Sequence, residues 1–164
     1  MNLTKLITGV FKRKPQFDKI DLGVLKVAFM ISALDGEVTD EEYAAFDQVA
    51  RQCRGYTTEN AEKALREAMR AAGYLLLLGR RVDDTTFVKA FVNEAIRALP
   101  DNFPFYEEED LEGVVDMWVS VAESDHDYSP RERTCIEALK TYIQEVRTHE
   151  VEWLTCSYVP LLMR

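Results

Sequence analysis

Six carboxylates in two short segments are the side chains of this sequence best suited to chemistry. Segments 32–42 and 122–132 share one pattern: apolar helix, Asp, any residue, acid, large apolar residue, Thr or Ser, two residues, Glu. Clustered negative charges are costly unless neutralised, and a hard divalent cation with oxygen ligands would neutralise them. If the two turns converge, the pattern predicts a site for a cation of the Ca²⁺ or Mg²⁺ class. Its candidate ligands are Asp35, Glu37, Glu42, Asp125, Asp127 and Glu132.

Part of this pattern is ordinary helix capping. Thr39 with Glu42, and Ser129 with Glu132, fit the capping box, and Pro130 falls at the first helical position. Capping does not require the acids that precede each cap. A second interpretation stays open, in which all six acids are solvated turn and cap residues on separate surfaces.

Other sites for chemistry find little support. An EF-hand starting at Asp125 would place Pro130 where the loop needs Gly and Ile136 where it needs Glu. The two histidines, His126 and His149, belong to no catalytic arrangement of nucleophile and base, and the sequence has no phosphate-binding glycine motif. We therefore predict that the chain is not an enzyme.

Hydrophobic periodicity predicts the elements that must position the acids. Apolar residues recur at helical spacing along most of the chain, and no segment alternates as a strand would. The fold class is therefore all-α: a single-domain helical bundle of seven or eight helices with two pseudo-symmetric acidic hairpins. The helices are expected before Pro15 and over 20–34, 40–53, 58–78 with a break at Gly73, 85–99 capped by Asp84, 107–124, 130–147 and 149–163.

The amino-acid composition limits the classes of protein to which the chain can belong. The chain has 164 residues, of which 47% are apolar and 30% charged, and this profile predicts one globular domain with a real core. A net charge of −9 argues against a nucleic-acid binder, whose affinity would rest on clustered Lys and Arg. Cys53, Cys135 and Cys156 are scattered, which argues against a zinc site or a disulfide framework and favours a reducing, cytoplasmic setting.

The first 20 residues have the opposite charge to the rest of the chain. Five bases against one acid give them +4, which leaves −13 for the other 144 residues. The predicted organisation is a basic amphipathic helix and linker over 1–19 and an all-helical domain over 20–164. Residues 1–14 combine an apolar stripe with four bases, which predicts weak, reversible contact with an anionic membrane surface. The alternatives are packing on the domain, a mobile tail, and docking onto the acidic region 101–127.

The first acidic segment, Asp35-Gly36-Glu37-Val38-Thr39-Asp40-Glu41-Glu42 after an apolar helix, resembles the signature of the tellurite-resistance TerB family. The N-terminal domain of the DjlA co-chaperone has a similar motif. The second segment, Asp125 to Glu132, lies where that family has its companion hairpin, with His126 in place of the Gly. The likeness covers roughly residues 20–147.

This resemblance implies an all-helical fold with internal pseudo-symmetry, a metal-binding acidic cluster, and a non-enzymatic role in bacterial stress response or scaffolding near the inner face of the membrane. The family's acids fall on Asp35, Glu42, Asp125 and Glu132. The alternative function is a metal-free interaction or co-chaperone-like module that binds a protein partner through an apolar groove. Residues 74–78 are candidates for that groove, although burial in the core is the favoured interpretation of this run.

Overall fold

The computed structural model describes residues 17–34, 40–123 and 129–148, and of Glu42 only the backbone. These residues confirm the all-α class. The first and last predicted helices, over residues before Pro15 and over 149–163, lie outside the described ranges. The described helices are α1 (Leu22–Ala33), α2 (Asp40–Ala50), α3 (Thr58–Gly79), α4 (Asp84–Ala98), α5 (Glu108–Glu123) and α6 (Pro130–Arg147), with 3₁₀ turns at Phe17–Lys19 and Phe103–Phe105.

The predicted cap of α4 and the predicted break in α3 are wrong. Asp83, not Asp84, caps α4, and its side chain accepts a hydrogen bond from the Thr86 amide at 2.8 Å. Helix α3 continues through Gly73 without a break, because the Ala- and Leu-rich sequence around it outweighs the roughly 1 kcal/mol that one glycine costs a helix. Helix α2 ends at Ala50, three residues before the predicted end, and Gly55 has a positive φ of 72° in the turn that follows.

Helix α1 occupies the centre of the core. It packs against α2, α3, α4 and α5, which explains why its sequence is apolar nearly all round. Gly23 permits close contact with the end of α4, since a Cβ there would lie 2.1 Å from the Ala98 carbonyl oxygen. Lys26, the only charged residue of this helix, donates a hydrogen bond to Glu67 of α3 and lowers the pKa of that carboxyl. The buried residues of α1 are Val24, Leu25 and 27–33.

Aromatic side chains fill part of the core. Trp118 and Phe91 are fully buried, and Phe87 is nearly so. The Trp118 indole N–H donates to the Val24 carbonyl oxygen at 3.3 Å, and its ring lies 5.7 Å from that of Phe103. This tryptophan thereby connects α5 to α1 and to the turn before α5.

The expected burial of residues 74–78 is wrong in part. Leu75 is fully buried, but Tyr74 is 47% exposed and Leu77 is 59% exposed. Five consecutive helical residues make more than one full turn, so the run cannot face the core along its whole length. None of the described helices is long and apolar enough to cross a membrane.

Two of the cysteines behave as small core residues. Cys53 and Cys135 are buried, and burial raises the pKa of each thiol to about 12. At pH 8 only about one thiol in 10⁴ would be the reactive thiolate. We expect iodoacetamide at pH 8 to leave both unmodified in the folded protein and to alkylate both in urea, as scored by mass spectrometry of each cysteine's tryptic peptide. Rapid alkylation of either cysteine in the folded protein would contradict this expectation.

Candidate functional site

The structure describes the flanks of the two acidic turns rather than the turns themselves. Of the six predicted ligands, Glu132 alone has a described side chain, which is half-buried in the first turn of α6. Glu42 contributes its backbone to the first turn of α2. The other four lie outside the described residues: Asp35, Glu37, Asp125 and Asp127.

One cavity of about 260 Å³ joins these flanks. Leu34, the last described residue before the first acidic turn, lies on its wall. Ser129, the first described residue after the second turn, lines the same cavity, as does Glu132. The ends of two hairpins that are far apart in the sequence thus meet at one place in the fold. Its other lining residues are Leu75, Leu76, Gly79, Arg80, Phe87 and Arg131.

Arg131 fixes the start of α6 against the end of α3 and the start of α4. Its Nε donates to Asp84 Oδ1 at 2.6 Å, and its Nη1 donates to the Gly79 carbonyl oxygen at 2.9 Å. The guanidinium lies 4.7 Å from the centre of the Phe87 ring, a cation–π distance. A side chain at Gly79 would collide with this arrangement, because its Cβ would lie 2.9 Å from Arg131 Nη1. Three elements therefore hold the exit of the second acidic turn in place.

The described residues that line the cavity include two bases, Arg80 and Arg131, and one acid, Glu132. Ser129 caps α6 and accepts a hydrogen bond from the Glu132 amide at 3.1 Å, as the capping pattern predicted. Asp84 forms an ion pair with Arg131. Among residues 17–34, 40–123 and 129–148, no three His, Cys, Asp or Glu side chains form a group that could hold a metal ion. Binding of a cation by the six carboxylates therefore stays a prediction, because four of them lie in turns outside the described residues.

Sequence reasoning missed the role of Arg131. The residue stands within the second acidic segment, and a single base among acids was the available signal. Its partners, Asp84 and the Gly79 carbonyl, are 47 and 52 residues away in the sequence. No local pattern could identify them, because helix packing alone brings them together.

Comparison with protein families supplies the last observation. The family model for tellurite resistance protein TerB matches residues 21–151, which is most of the chain and nearly the range over which the two acidic segments suggested the likeness. Comparisons with curated proteins and with solved structures gave no significant match. The all-helical fold agrees with the family match. The chain therefore belongs to the tellurite resistance protein TerB family.

Proposed function

We propose that this chain is a non-enzymatic TerB module that binds one divalent cation between its two acidic turns. The observation that carries the proposal is that Leu34, Ser129 and Glu132 line a single cavity. Leu34 directly precedes the first acidic turn in the sequence, and Ser129 directly follows the second.

The donors fit a hard cation. All six candidate side chains offer carboxylate oxygens, and no histidine or cysteine belongs to the duplicated ligand pattern. Ca²⁺ takes six to eight such oxygens at about 2.3–2.6 Å, whereas Mg²⁺ takes fewer protein ligands and keeps several waters. Two turns that share one cation would relieve the repulsion among their own carboxylates. We therefore expect Ca²⁺ to bind more tightly than Mg²⁺, and Zn²⁺, which favours nitrogen and sulfur ligands, to bind less well than Ca²⁺.

The role that follows is sensing or scaffolding rather than catalysis. Binding of a cation would couple the α1–α2 hairpin to the start of α6, which Arg131 already connects to α3 and α4. Occupancy would thereby change the stability of this end of the bundle. Within the family context, we propose that the module acts in bacterial stress response at the cytoplasmic face of the membrane.

Calorimetry and thermal melting test the proposal directly. Metal-free full-length protein is titrated with Ca²⁺, Mg²⁺, Mn²⁺ and Zn²⁺, and its melting temperature is followed with each cation and with a chelator. We expect heat at one cation per chain and a rise of the melting temperature, since a ligand that binds only the folded state stabilises it. If no cation gives heat and none shifts the melt, the cation proposal is wrong.

A specific observation favours a second candidate function, a metal-free protein-interaction module. Met69, Tyr74 and Leu77 leave large apolar side chains exposed along α3. Such a strip would suit the apolar face of a partner helix. In that case Leu77→Glu abolishes partner binding, while cations leave the melting temperature unchanged.

A further inference from the structure

Arg80 places a positive charge in the wall of the cavity that joins the flanks of the two acidic turns. It directly follows α3, and its backbone amide donates to the Leu77 and Leu78 carbonyl oxygens, which fixes its position at the end of the helix. It lines the cavity together with Leu34 and Ser129. A base beside a cation site has a definite effect, because like charges repel.

The two bases that line this cavity differ in how they are held. The Arg131 guanidinium donates to Asp84 and to the Gly79 carbonyl oxygen, so its charge is already paired within the bundle. The Arg80 side chain is exposed, and within the described part of the chain it forms no ion pair. The charge of Arg80 is therefore the one that can act on the acidic turns.

The size of the cavity sets the distance over which Arg80 acts. A round cavity of about 260 Å³ is about 8 Å across, which is also about one Debye length at physiological ionic strength. Glu132, one of the six predicted ligands, lines the same cavity. Salt therefore screens the charge of Arg80 only in part over this distance, and its effect on a binding equilibrium is several-fold.

Given the cation site proposed above, we propose that Arg80 is the counter-ion of the acidic turns when no cation is bound. A guanidinium beside the carboxylates offsets part of their mutual repulsion, so the metal-free bundle is more stable with Arg80 than without it. The same charge repels an incoming divalent cation, so Arg80 lowers the affinity of the site. Arg80 thereby sets the cation concentration at which the module changes state.

Arg81 offers a matched control in the same turn. It is exposed, as Arg80 is, and it also follows the end of α3, so both bases interact favourably with the negative end of that helix. Arg81 does not line the cavity. A difference between neutralising Arg80 and neutralising Arg81 therefore measures the effect on the cavity rather than the effect on the helix.

Calorimetric titration of the metal-free full-length protein with Ca²⁺ tests the effect on affinity. At low salt, Arg80→Gln is expected to bind Ca²⁺ about five- to tenfold more tightly than the unmodified chain. The difference should largely disappear at 1 M salt, where the Debye length falls to about 3 Å. Arg81→Gln is expected to change the affinity less than about twofold. Arg80→Lys keeps the charge and is expected to bind as the unmodified chain does.

Thermal melting with a chelator tests the metal-free state separately. Arg80→Gln is expected to lower the melting temperature by about 2–4 °C, because the turns lose their counter-ion. In a chain that also carries Asp35→Asn and Asp125→Asn, the same substitution should lower it by less than about 1 °C, since less repulsion is left to offset. With saturating Ca²⁺, the Arg80→Gln variant should melt no lower than the unmodified chain.

Two results would overturn the role of Arg80. One is an Arg80→Gln variant whose Ca²⁺ affinity is unchanged, lowered, or raised only as much as in Arg81→Gln. The other is an equal loss of melting temperature in chelator with and without the two Asp→Asn changes, since Arg80 would then act on some other group. Failure of the cation site itself differs from both: no variant gives heat with Ca²⁺, and the melts in chelator still decide whether Arg80 offsets the charge of the turns. Circular dichroism confirms that each variant is folded.

Discussion

Replacing Trp118 by alanine is expected to lower the free energy of unfolding by about 3–5 kcal/mol. The indole is fully buried where α5 meets α1 and the Phe103 turn, so its loss leaves a cavity that the rigid helices around it cannot fill. It also leaves the Val24 carbonyl without the indole N–H, a loss worth about 1 kcal/mol. Because domains of this size are stable by only about 5–15 kcal/mol, the variant should be largely unfolded in moderate urea.

Urea titration followed by circular dichroism measures the change in the free energy of unfolding. Two further variants serve as comparisons. Trp118→Phe keeps an aromatic ring but loses the N–H, and should cost about a third as much as Trp118→Ala. Phe105→Ala removes a ring that is 64% exposed, and should change stability by less than about 0.5 kcal/mol. Equal costs for Trp118→Ala and Phe105→Ala would contradict the core described above.

The second large effect concerns the acidic turns. We expect Asp35→Asn combined with Asp125→Asn to weaken binding of the cation about 100-fold or more. Even residues that only support a metal's ligands change affinity by about 10–100-fold when replaced, and these two are proposed as direct ligands. The loss of two negative charges acts in the same direction, since ligand charge tunes Ca²⁺ affinity. Calorimetry of each metal-free variant measures the change.

Single variants show whether the two turns share a cation. If they share one, Asp35→Asn and Asp125→Asn each weaken the same single binding event. If each turn binds its own cation, each variant removes one of two events and leaves the other intact. Asp18→Asn with Asp101→Asn makes the same change of charge at exposed residues that do not line the cavity, and should bind as the unmodified chain does.

The spacing of apolar residues predicted the helices well, because that spacing follows from which side chains are buried. The stripe through Leu111, Val114 and Trp118 points to the core, and it marks α5 to within one residue at each end. Predictions from single residues fared worse. Asp83 and Asp84 are equally good caps by type, but Asp83 caps α4 and Asp84 pairs with Arg131. That pairing is set by packing, which no local pattern contains.

The candidate site was predictable only as a pair of motifs. The repeat identifies which acids resemble each other, but not that Leu34 and Ser129 line one cavity. That meeting follows from α3 and α4, which bring the end of one hairpin to the start of the other. The exposure of Tyr74 and Leu77 was missed for a related reason. A run of apolar residues shows that a segment is hydrophobic, but it does not show which of its residues face the core.

The central claim is that both acidic turns bind the same cation, and paramagnetic broadening by Mn²⁺ tests it most directly. In a titration of ¹⁵N-labelled protein with substoichiometric Mn²⁺, the amide signals of Leu34 and Ser129 should broaden together, and Asp35→Asn or Asp125→Asn alone should abolish the broadening at both. The signal of Asn60, about 28 Å along α3 from Gly79, should stay sharp. Broadening at only one of the two flanks, or at neither, would contradict a shared site.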